Sequence, residues 1–168
     1  MKICITGGAG FIGSNIYKEL ISRGHEVFVI DNLSTGNHEN LPAGSIIHVK
    51  DINRIEPEDL PGVDIVFHCA ALARVQMSIE HPIKYNKANV DGTLRVLEAS
   101  RKAGVKRLIY SASSSAYGDT TEFPTTENAP TNPMSPYALQ KYIGELYCKQ
   151  YSTLYNLETV CLRYFNVY

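Results

Sequence analysis

Short apolar runs alternate with longer stretches in which apolar residues recur at helical spacing. KICIT (2–6), HEVFVID (25–31), SIIHVK (45–50), VDIVFHCA (63–70), VKRLIYSA (105–112) and LETVCLRYF (157–165) read as six strands. GGAGFIGSNIYKELISRG is a glycine turn opening into a helix. HPIKYNKANVDGTLRVLEASRKAG (81–104) is one long helix, with Pro82 near its start, Gly104 at its end, and Val90, Leu94 and Leu97 at helical spacing. SPYALQKYIGELYCKQYSTLYN (135–156) is another. The strand runs lack strict alternation and are separated by helices. They therefore imply a parallel sheet covered on both faces, a doubly wound α/β domain with right-handed crossovers. GDTTEFPTTENAPTNPMSP (118–136) is a surface loop, and there is no internal repeat at solenoid spacing.

Composition narrows the picture. The 168 residues suit one domain with a proper core, and 44% hydrophobic with 20% charged is ordinary for a globular protein. A net charge of −1, with scattered lysines and arginines, offers no field for a nucleic acid or an anionic membrane. No apolar run approaches membrane-spanning length. Met1-Lys2 runs straight into the first strand, leaving no room for a signal peptide, so a cytoplasmic location is expected. Cys4, Cys69, Cys148 and Cys161 form no CxxC pair and read as small buried hydrophobes in a reducing compartment. The five histidines are dispersed without ligand spacing, His68 reads as packed, and no metal site is expected.

Chemistry concentrates at three places. In TGGAGFIG, Gly7, Gly10 and Gly13 lie three apart, directly after a strand and before a helix. A tight turn, a phosphate touching the backbone and a helix packed closely on the sheet each demand glycine, and the helix N-terminus favours a pyrophosphate. Asp31 ends the second strand 18 residues beyond Gly13, placed to accept hydrogen bonds from an adenosine ribose. A carboxylate there repels a 2′-phosphate, favouring NAD over NADP. These features give the sheet a Rossmann-type reading. The candidate cofactor set is Gly7, Gly10, Phe11, Ile12, Gly13, Asp31 and Asn32, with Asp51 and Ile52 at the end of the third strand. Asp51 either meets the adenine amine or caps a turn.

Tyr137 and Lys141 share a helix face. A phenol of pKa about 10 is tuned toward phenolate by a nearby ammonium and by an oxidised nicotinamide. So tuned, it can take a proton from a sugar hydroxyl. With eleven tyrosines in the chain the spacing alone is weak, but the pair follows the fifth strand on the carboxyl edge where open α/β sheets bind ligands. SASSSAYG (111–118) lies on the same edge, where Ser113, Ser114 and Ser115 either hold a substrate oxygen or form a polar loop.

TGGAGFIGSN, DNLSTG, HCAALARVQMS, NVDGTLRVLEA, SASSSAYGD, SPYALQKYIGE and LRYFNVY, in this order from Met1 to Tyr168, resemble the extended short-chain dehydrogenase/reductase family. Within it the likeness is to the NAD-dependent epimerase/dehydratase group, and there to UDP-hexose 4-epimerases of the UDP-glucose/UDP-galactose type. The resemblance implies Tyr137 as acid/base, Lys141 as its partner on the nicotinamide ribose, and Ser113 as the hydrogen-bonding hydroxyl. Ser114 and Ser115 would border the sugar and Asn166 would meet the diphosphate. Ala70, Ala71, Leu72, Asn89, Ser111 and Tyr164 would complete the cofactor site. The implied mechanism is transient oxidation: Tyr137 takes the C4 hydroxyl proton, NAD takes the hydride, the 4-keto sugar turns over, and the hydride returns to its other face.

Two alternatives stand beside this. A 4,6-dehydratase needs a further acid/base, and the family's dehydratases carry Asp-Glu where this chain has Ser114-Ser115. An inactive dinucleotide-binding module is the other. Arg74 either meets the substrate or is a solvated charge. In the family, RYFNVYG leads into a smaller domain that closes over the nucleotide sugar, and this sequence stops one residue before that glycine. The expectation is an NAD-binding domain, 1–168, without the C-terminal substrate domain, with incomplete water exclusion and slow turnover. Leu139, Ile143 and Leu146 face away from Tyr137 and Lys141; they pack in the core or, as the family's dimer implies, against a partner helix in a homodimer through the two long helices.

Overall fold

The computed structural model describes residues 1–121 and 123–168; Glu122, within the loop expected at 118–136, lies outside them. Six strands form one sheet: β1 (Lys2–Thr6), β2 (Glu26–Asp31), β3 (Ile46–Val49), β4 (Ile65–His68), β5 (Arg107–Ser113) and β6 (Glu158–Tyr164). Every pairing is parallel and the order is 3-2-1-4-5-6. The chain reverses its direction of winding between β1 and β4, where Thr6 lies opposite Ile30 on one side and His68 on the other. A crevice opens at such a switch point, beyond the carboxyl ends of the strands.

Successive side chains of a strand point to opposite faces, and the core divides accordingly. Ile3, Ile5, Val27 and Val29 pack with Tyr17 of α1 (Phe11–Ser22). Cys4, Phe28, Ile30, Val66, Leu108 and Tyr110 pack on the other face, with Val96 and Leu97 of one helix and Cys148 and Tyr151 of another. The edge strand β6 leaves Val160 and Leu162 exposed.

The long helix expected at 81–104 is interrupted. Two short helices, α2 (Val75–Glu80) and α3 (Pro82–Asn86), lead into a π-helical turn, Lys87–Asp91, and then α4 (Gly92–Lys102). Helix α2 had no signal in the sequence because its N-cap, Arg74, supplies no capping side chain. The π turn carries Asn89 into the interior, a placement typical of π-bulges at functional sites. The last helix, α5 (Pro136–Tyr155), is capped by Ser135, whose hydroxyl accepts the Ala138 N–H at 3.1 Å, and ends at left-handed Asn156.

Candidate active site

The glycine turn is shaped by close contact. Gly7 has φ of +71°, and a Cβ there would lie 2.5 Å from the Ala70 nitrogen. A Cβ on Gly13 would collide with the Gly7 carbonyl, so this glycine lets α1 approach the turn. Gly13 thus works in packing, whereas Gly7 and Gly10 line the cleft. Phe11 is exposed on the first turn of α1 and lines neither cleft described here.

The first cleft, about 350 Å³, runs from the glycine turn over the ends of β2 and β3. Asp31 builds its floor: Oδ2 accepts the Ala9 N–H at 3.0 Å and Oδ1 the Leu33 N–H at 2.8 Å. The next loop is clasped to the glycine turn through the Ala9 carbonyl, which accepts from Asn37 N at 3.0 Å and Asn40 Nδ2 at 2.8 Å. Of the two alternatives for Asp51, the structure shows the cap, and it also places the residue in the cleft wall. Asp51 caps the turn Ile52–Arg54 by accepting the Asn53 N–H at 2.8 Å, and it lines the cleft with Asn32, whose Nδ2 lies 3.2 Å from Oδ2. The Asn53 backbone N–H, above all, holds its carboxyl below the ordinary range, against the opposing effect of burial. Ile52, Ala70, Ala71 and Leu72 line the same cleft. Lys84 and Lys87 also line it, and neither could be found from the sequence, since only the fold of α3 and the π turn brings them there.

Asn89 sits behind this wall. Its Oδ1 accepts the Leu72 N–H at 2.8 Å and its Nδ2 donates to the Leu72 carbonyl at 3.0 Å. The same Nδ2 donates to Gln140 Oε1 at 3.1 Å, tying the loop after β4 to α5. Asn89 therefore holds the wall in place from behind.

A second cleft, about 1030 Å³, shares Cys69 and Ala71 with the first and continues over the ends of β5 and β6. Ile12, Ser111, Ser113, Ser114, Ser115, Tyr137, Lys141, Tyr164 and Asn166 all line it. Tyr137 is fixed from below, because its backbone N–H donates to Ser78 Oγ of α2 at 3.1 Å. The Ser113 hydroxyl shares the cleft with the Tyr137 phenol and lies 2.8 Å from Ser115 Oγ. Tyr164 and Ser111 stand in the same wall, and the Ser111 Oγ donates to Cys69 Sγ at 3.3 Å. Asp119, Thr120 and Thr125 of the long loop also line this cleft. Arg74 is exposed and lines neither cleft.

The electrostatics depart from expectation. Burial pushes the Tyr137 phenol above its ordinary range, and the bond to Ser113 pulls it back. The Lys141 ammonium is buried over the Tyr110 ring, 4.4 Å from its centroid, and burial pulls its pKa down to about 8. Beneath it His68 is fully buried and pushed down to about 3, by burial first and then by the charge of Lys141. Thr93 Oγ1 donates to the Asn89 carbonyl at 2.7 Å, so at 3.0 Å it accepts from His68 Nε2–H. Nδ1 then accepts the Thr6 hydroxyl at 2.6 Å. Burial pushes the Cys69 thiol up, the hydrogen bond with Cys161 and then burial push Cys148 up, and all four cysteines are free.

The glycine cradle, the Asp31 carboxylate and a cleft continuous with a Ser–Tyr–Lys group fit a dinucleotide laid across the switch point. The class so defined is a dinucleotide-binding α/β domain with its clefts at the carboxyl edge of the sheet. Residues 3–168 match the NAD dependent epimerase/dehydratase family, and the chain belongs to it. It is 42% identical over 170 residues to the putative UDP-glucose 4-epimerase of Methanocaldococcus jannaschii, covering 99% of this chain and 56% of the relative. The UDP-N-acetylglucosamine 4-epimerase of Methanobrevibacter ruminantium M1, solved with UDP-N-acetylmuramic acid, superposes with TM-score 0.95 at 41% identity, over 99% of this chain and 55% of that one. The UDP-glucose 4-epimerase of Thermus thermophilus, solved with NAD, gives 0.91 at 41% identity, over 100% and 56%. The chain thus spans about half the length of the relatives it matches.

Proposed function

We propose that the protein binds NAD in the paired clefts and interconverts the C4 epimers of a UDP-hexose, with residues 1–168 forming its NAD-binding domain. The observation that carries this reading is that Ser113, Tyr137 and buried Lys141, one turn further along α5, line one cleft, which shares its Cys69–Ala71 wall with the cleft of the glycine turn and Asp31. Bound NAD+ would supply the hydride acceptor and the returning hydride. Tyr137 takes the proton of the C4 hydroxyl and later gives it back, acting as general base and then general acid. Ser113 holds the C4 oxygen, and Lys141 contributes positive potential beside the phenol and a donor for the ribose. Ser114 and Ser115 border the sugar and Asn166 its diphosphate.

Dehydration is disfavoured because Ser114 and Ser115, not carboxylates, follow Ser113. Among the described residues the carboxylate lining this cleft is Asp119, on the loop beyond Gly118. No described helix is long and apolar enough to cross a membrane, and the four cysteines are free, which supports a cytoplasmic protein. We also propose a homodimer. Leu139 and Leu146 stand 48% and 46% exposed on α5, so they do not belong to this chain's core.

The test is a coupled assay of UDP-galactose to UDP-glucose conversion, together with NAD titration. The protein should interconvert the sugars. Tyr137→Phe should lower turnover by about 10²–10⁴-fold with NAD binding retained. Full turnover by the phenylalanine variant, or sugar left unchanged by the wild type, would sink the reading.

A further inference from the structure

Lys141 is only 3% exposed on a chain where every other lysine is in reach of solvent, and it forms no ion pair among the described residues. Glu145 stands one turn along α5, but both of its oxygens are taken by Arg163, at 2.7 to 3.1 Å. A buried ammonium without a counter-charge is costly. What lies against it is Tyr110 of β5, which is fully buried. The ammonium sits 4.4 Å from the ring centroid, within the range of a cation–π contact.

The ring is itself held on three sides. Its hydroxyl donates to the Lys141 carbonyl at 3.3 Å. Gly144 packs against that hydroxyl so closely that a Cβ there would collide with it. The His68 ring lies 5.6 Å away, tilted by 31°, its tautomer set by Thr6 and Thr93. We infer that Tyr110 is the positioning residue for Lys141: its π face seats the ammonium in place of a carboxylate.

The choice of an aromatic face has a chemical consequence. A carboxylate would cancel the positive potential that the proposed function asks of Lys141. A ring quadrupole stabilises the cation without adding net charge. The other groups facing the ammonium are the thiols of Cys69 after β4, Cys148 on α5 and Cys161 on β6, the paired Glu145, and neutral His68. Of these, Glu145 favours the charged form, the buried thiols of Cys69 and Cys148 stay protonated and add no charge, and His68 remains uncharged at working pH.

This inference rests on the proposed role of Lys141, but its test needs no sugar. The chain is labelled with ¹³C-lysine, the Lys141 Cε signal is identified by its loss in Lys141→Arg, and its pH titration is followed by NMR. The expected midpoint is about 8. Tyr110→Phe keeps the face and should titrate with the wild type. Difluoro- and trifluorophenylalanine at position 110 keep the shape and weaken the face, and should lower the midpoint stepwise by about one pH unit, tenfold in proton affinity. In the intact enzyme the alkaline limb of kcat should move with the series while KM for the sugar stays. An unchanged midpoint across the fluorinated series in the folded chain would overturn the inference. So would a midpoint that follows Cys161→Ala instead of the ring. Loss of sugar turnover with ring dependence intact would refute the epimerase reading alone.

Discussion

Asp31 serves the fold, and in the proposed function it serves the ligand as well. Its two oxygens each accept a backbone N–H, from Ala9 and from Leu33, and so fix the glycine turn and the following loop before any nucleotide arrives. Each oxygen keeps a lone pair for a ribose hydroxyl. Asp31→Asn keeps one acceptor and removes the charge. It should weaken NAD binding by about tenfold, the scale of one charge-assisted hydrogen bond, and narrow the preference for NAD over NADP, as parallel titrations with the two nucleotides would show. Asp31 was legible in the sequence because its role follows from a strand end at a set distance from a glycine turn. Ser78, Lys84, Lys87, Tyr110 and Gln140 were not legible, because nothing in their local sequence says what they will face.

At the scale of elements, close approach decides most of the geometry. Helix α1 reaches the sheet only because Gly13 has no side chain to meet the Gly7 carbonyl. Gly13→Ala should cost about 1–3 kcal/mol in urea unfolding and weaken NAD binding as the turn shifts. The interrupted helix is the other case. A periodic apolar pattern from Val90 to Leu97 reads as a continuous helix, but the π turn at Lys87–Asp91 inserts Asn89 into the interior. Its two bonds to Leu72 offset the irregular backbone. Periodicity reports which face is buried; it is nearly blind to one extra residue in a turn.

Two predictions belong to the whole molecule. His68 is neutral when folded, with its pKa depressed from about 6.5 to about 3. Below pH 6.5 the unfolded chain takes up a proton that the folded chain refuses. Stability is therefore full above about pH 6.5 and is lost progressively as pH falls toward about 3, by on the order of several kcal/mol. His68→Gln, which cannot titrate, should be less stable at neutral pH and show a shallower acid slope in urea midpoints measured across that window. The second concerns assembly. If the exposed stripe on α5 joins two copies, Leu139→Glu with Leu146→Glu should shift sedimentation at low micromolar concentration from dimer to monomer with the secondary structure unchanged. A wild-type monomer at that concentration would remove the proposal.

The sequence by itself determined the parallel α/β architecture, the glycine turn, the Asp31 strand end and the identity of the Ser–Tyr–Lys group. Each of these is set by local periodicity or by short, fixed spacings. The tertiary structure decided what those spacings cannot carry. It set the two clefts side by side on Cys69 and Ala71 and made Asp51 a turn cap that also lines the first of them. It also turned Lys141 onto the ring of Tyr110 and set the Tyr137 phenol in one cleft with Ser113. The reason is burial: desolvation and the partners of a buried group are properties of the elements packed around it, and residues 31 positions apart meet there only once β5 and α5 have come together.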